Sequence, residues 1–244
     1  MRVALFIACF NDALAPDVGR ATVRVLEHLG HEVVFPEAQT CCGQMHFNTG
    51  YRDQCVPLVR AFTSVFEPYD VVVTPSPSCA SMVRHHHGTV AEHAGDEGLV
   101  ADVARVAPRV LELSEFLVDE LGVTDIGAAF PHRVAFHQTC HSVRMLEIGD
   151  RPRHLLGAVE GLELVDIAGA DQCCGFGGTF AIKNAETSLA MGGDKLAAVE
   201  ASGATVLTAA DTSCLLHLGG MLSRARSPIQ VLHLAEILAA GLPA

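Results

Sequence analysis

The sequence has no tryptophan and only two tyrosines, so it offers few of the aromatic faces on which unpaired bases stack. Positive charge is scarce as well. Sixteen Lys and Arg stand against 28 Asp and Glu, and the formal charge of -12 repels phosphate backbones and anionic lipid, which argues against nucleic acid and membrane surfaces as partners. Long apolar runs are missing too. The N-terminal stretch Val3 to Phe10 is too short to span a bilayer and has no small-residue cleavage site after it, so it reads as a buried first strand of a cytoplasmic protein without membrane insertion. Three cofactor signatures are also absent. There is no Cys-x2-Cys-x2-Cys run of the bacterial ferredoxin kind. Cys140-His141 is not a haem attachment site, because His137 stands where the second cysteine belongs. The run Gly175-Phe176-Gly177-Gly178 does not continue as a dinucleotide fingerprint, with Ala181 near the place of the third glycine.

What the chain does have is cysteine. Nine in a sequence with no recognisable export signal point to a reducing compartment and to thiols free for metal or redox chemistry, and the odd count agrees. Eight of them form two sets in the same order, single, adjacent pair, single: Cys9, Cys41, Cys42 and Cys79, then Cys140, Cys173, Cys174 and Cys214. Between the first single and the pair lie 31 residues in one half and 32 in the other; between the pair and the last single lie 36 and 39. The surroundings repeat with them. β-like runs (Val3 to Ala8, Val134 to His137) precede each first cysteine, and a helical stretch then a β-branched run (Val18 to Leu29 and His31 to Phe35; Arg151 to Val159 and Leu162 to Ile167) precede each pair. Glycine follows each pair, and apolar strands (Val71 to Val73, Thr205 to Leu207) precede each last cysteine.

Strands alternating with helices predict an α/β fold of two pseudo-repeated, Rossmann-like β-α-β lobes with parallel sheets, whose sites occupy loops at the carboxyl ends of strands. Gly, Asp and Pro between Gly122 and Arg133 interrupt the pattern after a helix that Ser114 and Glu115 can begin, so the expected halves are 1–122 and 123–244.

Neighbouring cysteines make poor disulfides, because Cα atoms joined by a trans peptide lie about 3.8 Å apart whereas bridges prefer roughly 4.4 to 6.8 Å. Four thiolates from three loops suit a soft metal, and zinc and an iron–sulfur cluster are the two standard occupants. Adjacent cysteines chelate one ion awkwardly but can reach two irons, which favours the cluster. The glycine after each pair permits positive φ and close approach of backbone amides to sulfur. Cys55, by contrast, recurs with Leu58, Val59, Phe62 and Phe66 at helical spacing and reads as core. His137 and His141 flank Cys140 as ligands, proton carriers or, as preferred here, donors to a cluster sulfur. His85, His86 and His87 read as solvated surface, and so do Lys183 and Lys195.

The runs Phe136-His137-Gln138-Thr139-Cys140-His141-Ser142-Val143-Arg144, Cys173-Cys174-Gly175-Phe176-Gly177-Gly178-Thr179-Phe180 and Asp211-Thr212-Ser213-Cys214 carry a resemblance that spans both halves. The chain resembles the cysteine-rich CCG-domain iron–sulfur proteins, which include the cysteine-rich component of heterodisulfide reductase and the iron–sulfur component of glycolate oxidase, and above all their short two-domain lactate-utilization branch. The resemblance implies cluster positions at Cys9, Cys41, Cys42, Cys79, Cys140, Cys173, Cys174 and Cys214, with one iron–sulfur cluster of the 4Fe–4S type per lobe and zinc as the alternative at one site. It implies an electron-transfer subunit that acts with a ferredoxin-like iron–sulfur subunit and a third small subunit to oxidise a 2-hydroxy acid, L-lactate to pyruvate. The heterodisulfide reductase motif ends in Cys-x-x-Cys, whereas Ser76 and Asp211 stand three before Cys79 and Cys214, which speaks against five-thiolate clusters and a thiol-disulfide reductase.

Overall fold

The computed structural model describes residues 1–7 and 9–243, so Ala8, the end of the first expected strand, lies outside the described residues. The first sheet is built from β1 (Arg2–Leu5), β2 (Glu32–Val34), β3 (Val72–Thr74) and β4 (Val110–Glu112) in the order β2-β1-β3-β4. The second uses β5 (Arg133–Phe136), β6 (Glu163–Val165), β7 (Val206–Ala209) and β8 (Gln230–His233) in the order β6-β5-β7-β8. All pairings are parallel, and registers repeat: Arg2 faces Glu32 as Arg133 faces Glu163. The α/β fold of two pseudo-repeated lobes is therefore as the cysteine spacing implies. The edge strands β4 and β8 have no counterpart in the sequence expectations, since neither leads to a cysteine of the repeat.

Alternation along each first strand sends successive side chains to opposite faces. Val3 and Val134 enter one core shared by both lobes, together with Val25 and Leu26 of helix Pro16–His28, Leu155 and Leu156 of helix Arg151–Gly157, and Ile237 of helix Leu234–Leu238. Ala4 packs outward on helices Arg52–Phe66 and Glu97–Val106, and Ala135 outward on helices Ala185–Ala201 and Thr212–Ala225. Helix Pro16–His28 forms where it does because Pro16 suits a first turn, and Val18, Ala21, Thr22, Val25 and Leu26 make one buried stripe. No helix among the described residues is long and apolar enough to cross a membrane.

In both sheets the chain leaves the first strand to one side and returns on the other, so a crevice opens beyond the carboxyl ends of β1 and β3, and likewise of β5 and β7. The cysteines were expected in loops, and four of the eight are elsewhere. Cys9 and Cys140 open helices Cys9–Leu14 and Cys140–Arg144, while Cys79 and Cys214 lie in the first turns of helices Pro77–Ser81 and Thr212–Ala225. Only the adjacent pairs occupy loops. Strand-to-helix turns this tight leave no separate loop to hold the singles.

Candidate metal centre

In the first lobe the adjacent cysteines face different partners. Cys9 Sγ lies 3.8 Å from Cys41 Sγ, and Cys42 Sγ lies 3.3 Å from Cys79 Sγ. The Gly43 N–H donates to Cys41 Sγ at 3.4 Å, and the Gly175 N–H donates to Cys173 Sγ at the same distance. These turns need glycine, with φ of +90° at Gly43 and +91° at Gly175. Ionisation follows one pattern in both lobes. Cys41 is held far below the usual thiol value by hydrogen bonds from Cys42 and Cys9, and Cys173 by Cys140 and Cys174, with the glycine N–H groups assisting. Cys9, Cys42, Cys140 and Cys174 are pushed up by donating those bonds and by burial.

All eight repeated cysteines line one cavity rather than two, in a space of about 700 Å³ that includes its open mouth. Contacts between lobes close around it. Phe10 meets Phe176 edge to face with centroids 5.7 Å apart, Gln44 Nε2 lies 2.9 Å from His141 Nε2, and the Ser78 N–H donates to Asp211 Oδ2 at 3.0 Å. Gly178 lies so close to Met45 that an added Cβ would sit 2.8 Å from its sulfur. Ser76 and Asp211, the two non-cysteine positions of the last motif, are helix N-caps, Ser76 accepting from the Cys79 N–H and Asp211 from the Ser213 N–H. Cys55 is fully buried on its helix and donates to the Gly43 carbonyl at 3.4 Å, behind the cavity and outside its lining.

The histidines divide. His141 Nδ1 lies 3.7 Å from Cys140 Sγ. His137 is fully buried, neither of its ring nitrogens has a hydrogen-bond partner among the described residues, and it lies with Cys174 and Cys214 so that their ligand atoms are all within 4.8 Å of one another. Burial holds His137 near pKa 4, hence neutral, the form that ligates metals. Two surface readings require correction. Of His85, His86 and His87 only His85 is exposed; a wide helical turn at Met82–His86 rotates His87 inward, where its Nε2 lies 2.9 Å from the Cys42 carbonyl. Lys195 is 3% exposed, with Nζ donating to the carbonyls of Gly169 and Ala170, whereas Lys183 does face solvent. Lys195 escaped sequence reading because helix Ala185–Ala201, rich in Ala and Gly, has almost no apolar stripe to mark its inner face. Soft thiolates, an unpartnered neutral imidazole and inward-facing glycine amides make a donor set that fits a thiolate-bound metal or cluster.

Residues 3–84 and 134–219 both match the profile of the CCG cysteine-rich domain. The chain belongs to the cysteine-rich CCG family. This CCG protein is 44% identical to lactate utilization protein A of Geobacillus kaustophilus, with 98% of each chain covered. It is 42% identical to lactate utilization protein A 2 of Bacillus cereus, with 99% of each covered. Among solved structures, a hypothetical protein from Helicobacter pylori superposes with a TM-score of 0.71 at 12% identity over all of this chain and 49% of that one, a likeness of fold alone.

Proposed function

We propose that this CCG protein is the iron–sulfur electron-transfer subunit of a multi-protein system that oxidises a small 2-hydroxy acid, L-lactate to pyruvate. The observation that carries the reading is the opening of two pseudo-equivalent cysteine quartets, one per lobe, onto one cleft. Cys9, Cys41, Cys42 and Cys79 would hold one 4Fe–4S-type cluster and Cys140, Cys173, Cys174 and Cys214 the other. When bound, such clusters supply one-electron acceptance. Oxidation of lactate to pyruvate releases two electrons and two protons, so two one-electron centres match the electron count, and the protons leave to solvent. The chain's own residues supply the rest: Cys41 and Cys173 anchor as thiolates, the Gly43 and Gly175 amides face sulfur, and Phe10 and Phe176 narrow the cleft. The names of the lactate-utilization relatives support the substrate. Hydride or proton abstraction from lactate would fall to a partner, a ferredoxin-like iron–sulfur subunit or a third small subunit.

Anaerobic purification followed by iron and sulfide analysis tests this reading. Iron and sulfide present in the parent and in Cys55→Ser, with loss from one half in Cys42→Ser or Cys174→Ser, is the expected result. Partner-reconstituted protein should also bleach with lactate. A second reading has one observation in its favour: sulfur separations of 3.8 and 3.3 Å in the first lobe approach the roughly 3.8 Å edge of a tetrahedron with Zn–S bonds of about 2.3 Å. Stoichiometric zinc without iron would make the chain a structural scaffold. The thiol-disulfide alternative is not favoured, since Ser76 and Asp211 offer no fifth thiolate.

A further inference from the structure

The two lobes repeat position by position, and one difference in their buried chemistry lies behind the cysteines. The Phe6 N–H donates to the Val73 carbonyl at 2.8 Å and the His137 N–H to the Thr208 carbonyl at 2.8 Å, so Phe6 and His137 hold the same position at the ends of β1 and β5. Cys55 Sγ donates to the Gly43 carbonyl and Ser188 Oγ to the Gly175 carbonyl, which sets helices Arg52–Phe66 and Ala185–Ala201 in the same register. Two turns further on, that register pairs Phe62 with Lys195. In the first lobe Phe6 and Phe62 form an edge-to-face pair with centroids 5.0 Å apart in the outer core. In the second the same two positions hold the buried nitrogen bases His137 and Lys195.

Both bases lie behind the second quartet. His137 packs on Cys174 and Cys214; burial pulls Lys195 down from its ordinary value, while Asp171 and then Cys174, Cys173 and Cys214 favour its charge. Two carbonyl oxygens are the only hydrogen-bond partners of Lys195 among the described residues. A buried ammonium with only carbonyl partners is costly to desolvate, and an anionic thiolate centre nearby offsets that cost. Other charges lie near the quartets. Asp211 opposes Lys195, yet it also accepts from Ser78 of the first lobe and so lies between the quartets. Asp171 is exposed, as is Arg52 near Cys55, and solvent weakens both. His87 of the first lobe is neutral through burial and faces a carbonyl rather than a sulfur.

We propose that Lys195 and His137 make the C-terminal quartet the higher-potential of two unequal redox centres, so that the first electron entering this chain resides in the second lobe. Nearby positive charge and N–H donation to sulfur stabilise the reduced state of a thiolate-bound cluster, which gains one negative charge on taking one electron. Neither residue need touch substrate: Lys195 is a positioning residue that brings positive charge, and neutral His137 one that brings a ring N–H. The inference rests on the reading that both quartets hold iron–sulfur clusters.

The test is a dithionite titration of the anaerobically reconstituted full chain, followed by electron paramagnetic resonance, with Cys42→Ser and Cys174→Ser assigning the signals and iron and sulfide content measured first. Two separate one-electron steps are expected, the earlier-reducing one lost in Cys174→Ser. Lys195→Gln keeps a hydrogen-bond donor without the charge and should shift that step at least tenfold against reduction, about 59 mV for one electron. The N-terminal step should stay in place. Lys195→Arg should retain the parent potential, and His137→Phe, which recreates the aromatic of the first lobe, should shift the same step in the same direction should Lys195→Gln fold poorly. Coincident steps in the parent, or equal shifts of both steps, or no shift in either variant would overturn the inference while leaving the cluster reading intact. Protein without iron and sulfide overturns the cluster reading itself, and the inference with it.

Discussion

Asp211 stands where related motifs have a cysteine, and its two oxygens are already engaged. Oδ2 accepts from the Ser78 N–H at 3.0 Å, while Oδ1 accepts from the Ser213 N–H at 3.2 Å and the Ser213 hydroxyl at 2.7 Å. The carboxylate thereby accepts hydrogen bonds from the first turn of a helix in each lobe, inside the cleft. Hydrogen bonds to a buried charged group are worth about 1.5–3 kcal/mol each, and orphaned N–H groups add to the loss. Asp211→Ala should therefore cost about 3 kcal/mol in urea unfolding of the metal-free protein, with Asp211→Asn losing less and retaining the metal content of the parent. Unchanged stability together with lost metal would instead make Asp211 a ligand. The sequence showed which residue type occupies position 211, but a carboxylate can ligate or cap, and its partner Ser78 is 133 positions away. No local pattern reveals that choice.

At the scale of the turn, Gly43 and Gly175 have nearly the same φ but unequal surroundings. A Cβ on Gly175 would overlap the Ser188 carbonyl oxygen of the packed helix, whereas on Gly43 the nearest atoms are 3.7 Å away. Gly43→Ala should cost about 1–2 kcal/mol, the left-handed backbone alone. Gly175→Ala should cost several times more and reduce metal content, because the helix must move; equal losses in denaturation and metal analysis would refute this asymmetry.

The helices that follow β4 and β8 begin with capping boxes, Glu112 with Glu115 and His233 with Glu236. Burial raises Glu112 from 4.5 to about 7 and lowers His233 from 6.5 to about 4. The folded state holds the Glu112 proton more tightly, so its contribution is complete below pH 4.5 and lost as pH rises through 7. The His233 contribution runs the other way, complete above pH 6.5 and lost as pH falls toward 4. The two oppose between these limits. Glu112→Gln should therefore gain stability relative to the parent by about 1.4 kcal/mol per pH unit from pH 4.5 to 7, read from urea midpoints. A pH-independent difference would show that Glu112 is ionised in the folded protein.

Over the whole molecule, the core between the sheets draws on both lobes: Val25, Leu26 and Phe116 from the first, Phe136, Leu155, Leu156 and Ile237 from the second. Cutting the chain between 122 and 123 would expose this apolar surface at about 25 cal/mol per Å². The full chain should unfold in one transition, and fragments 1–122 and 123–244 should each fail to unfold cooperatively unless mixed; two separated calorimetric peaks would contradict it. The sequence by itself determined the duplication, the parallel α/β character and the set of thiols, because cysteine identity, spacing and the alternation of strand and helix are written along the chain. Only the tertiary structure decided that both quartets open on one cleft, that Asp211 ties the lobes together, and that Lys195 and His87 lie inside. Those outcomes depend on a wide helical turn, on a helix without an apolar stripe, and on how two sheets distant in the chain pack on a common core, none of which leaves a local period to read.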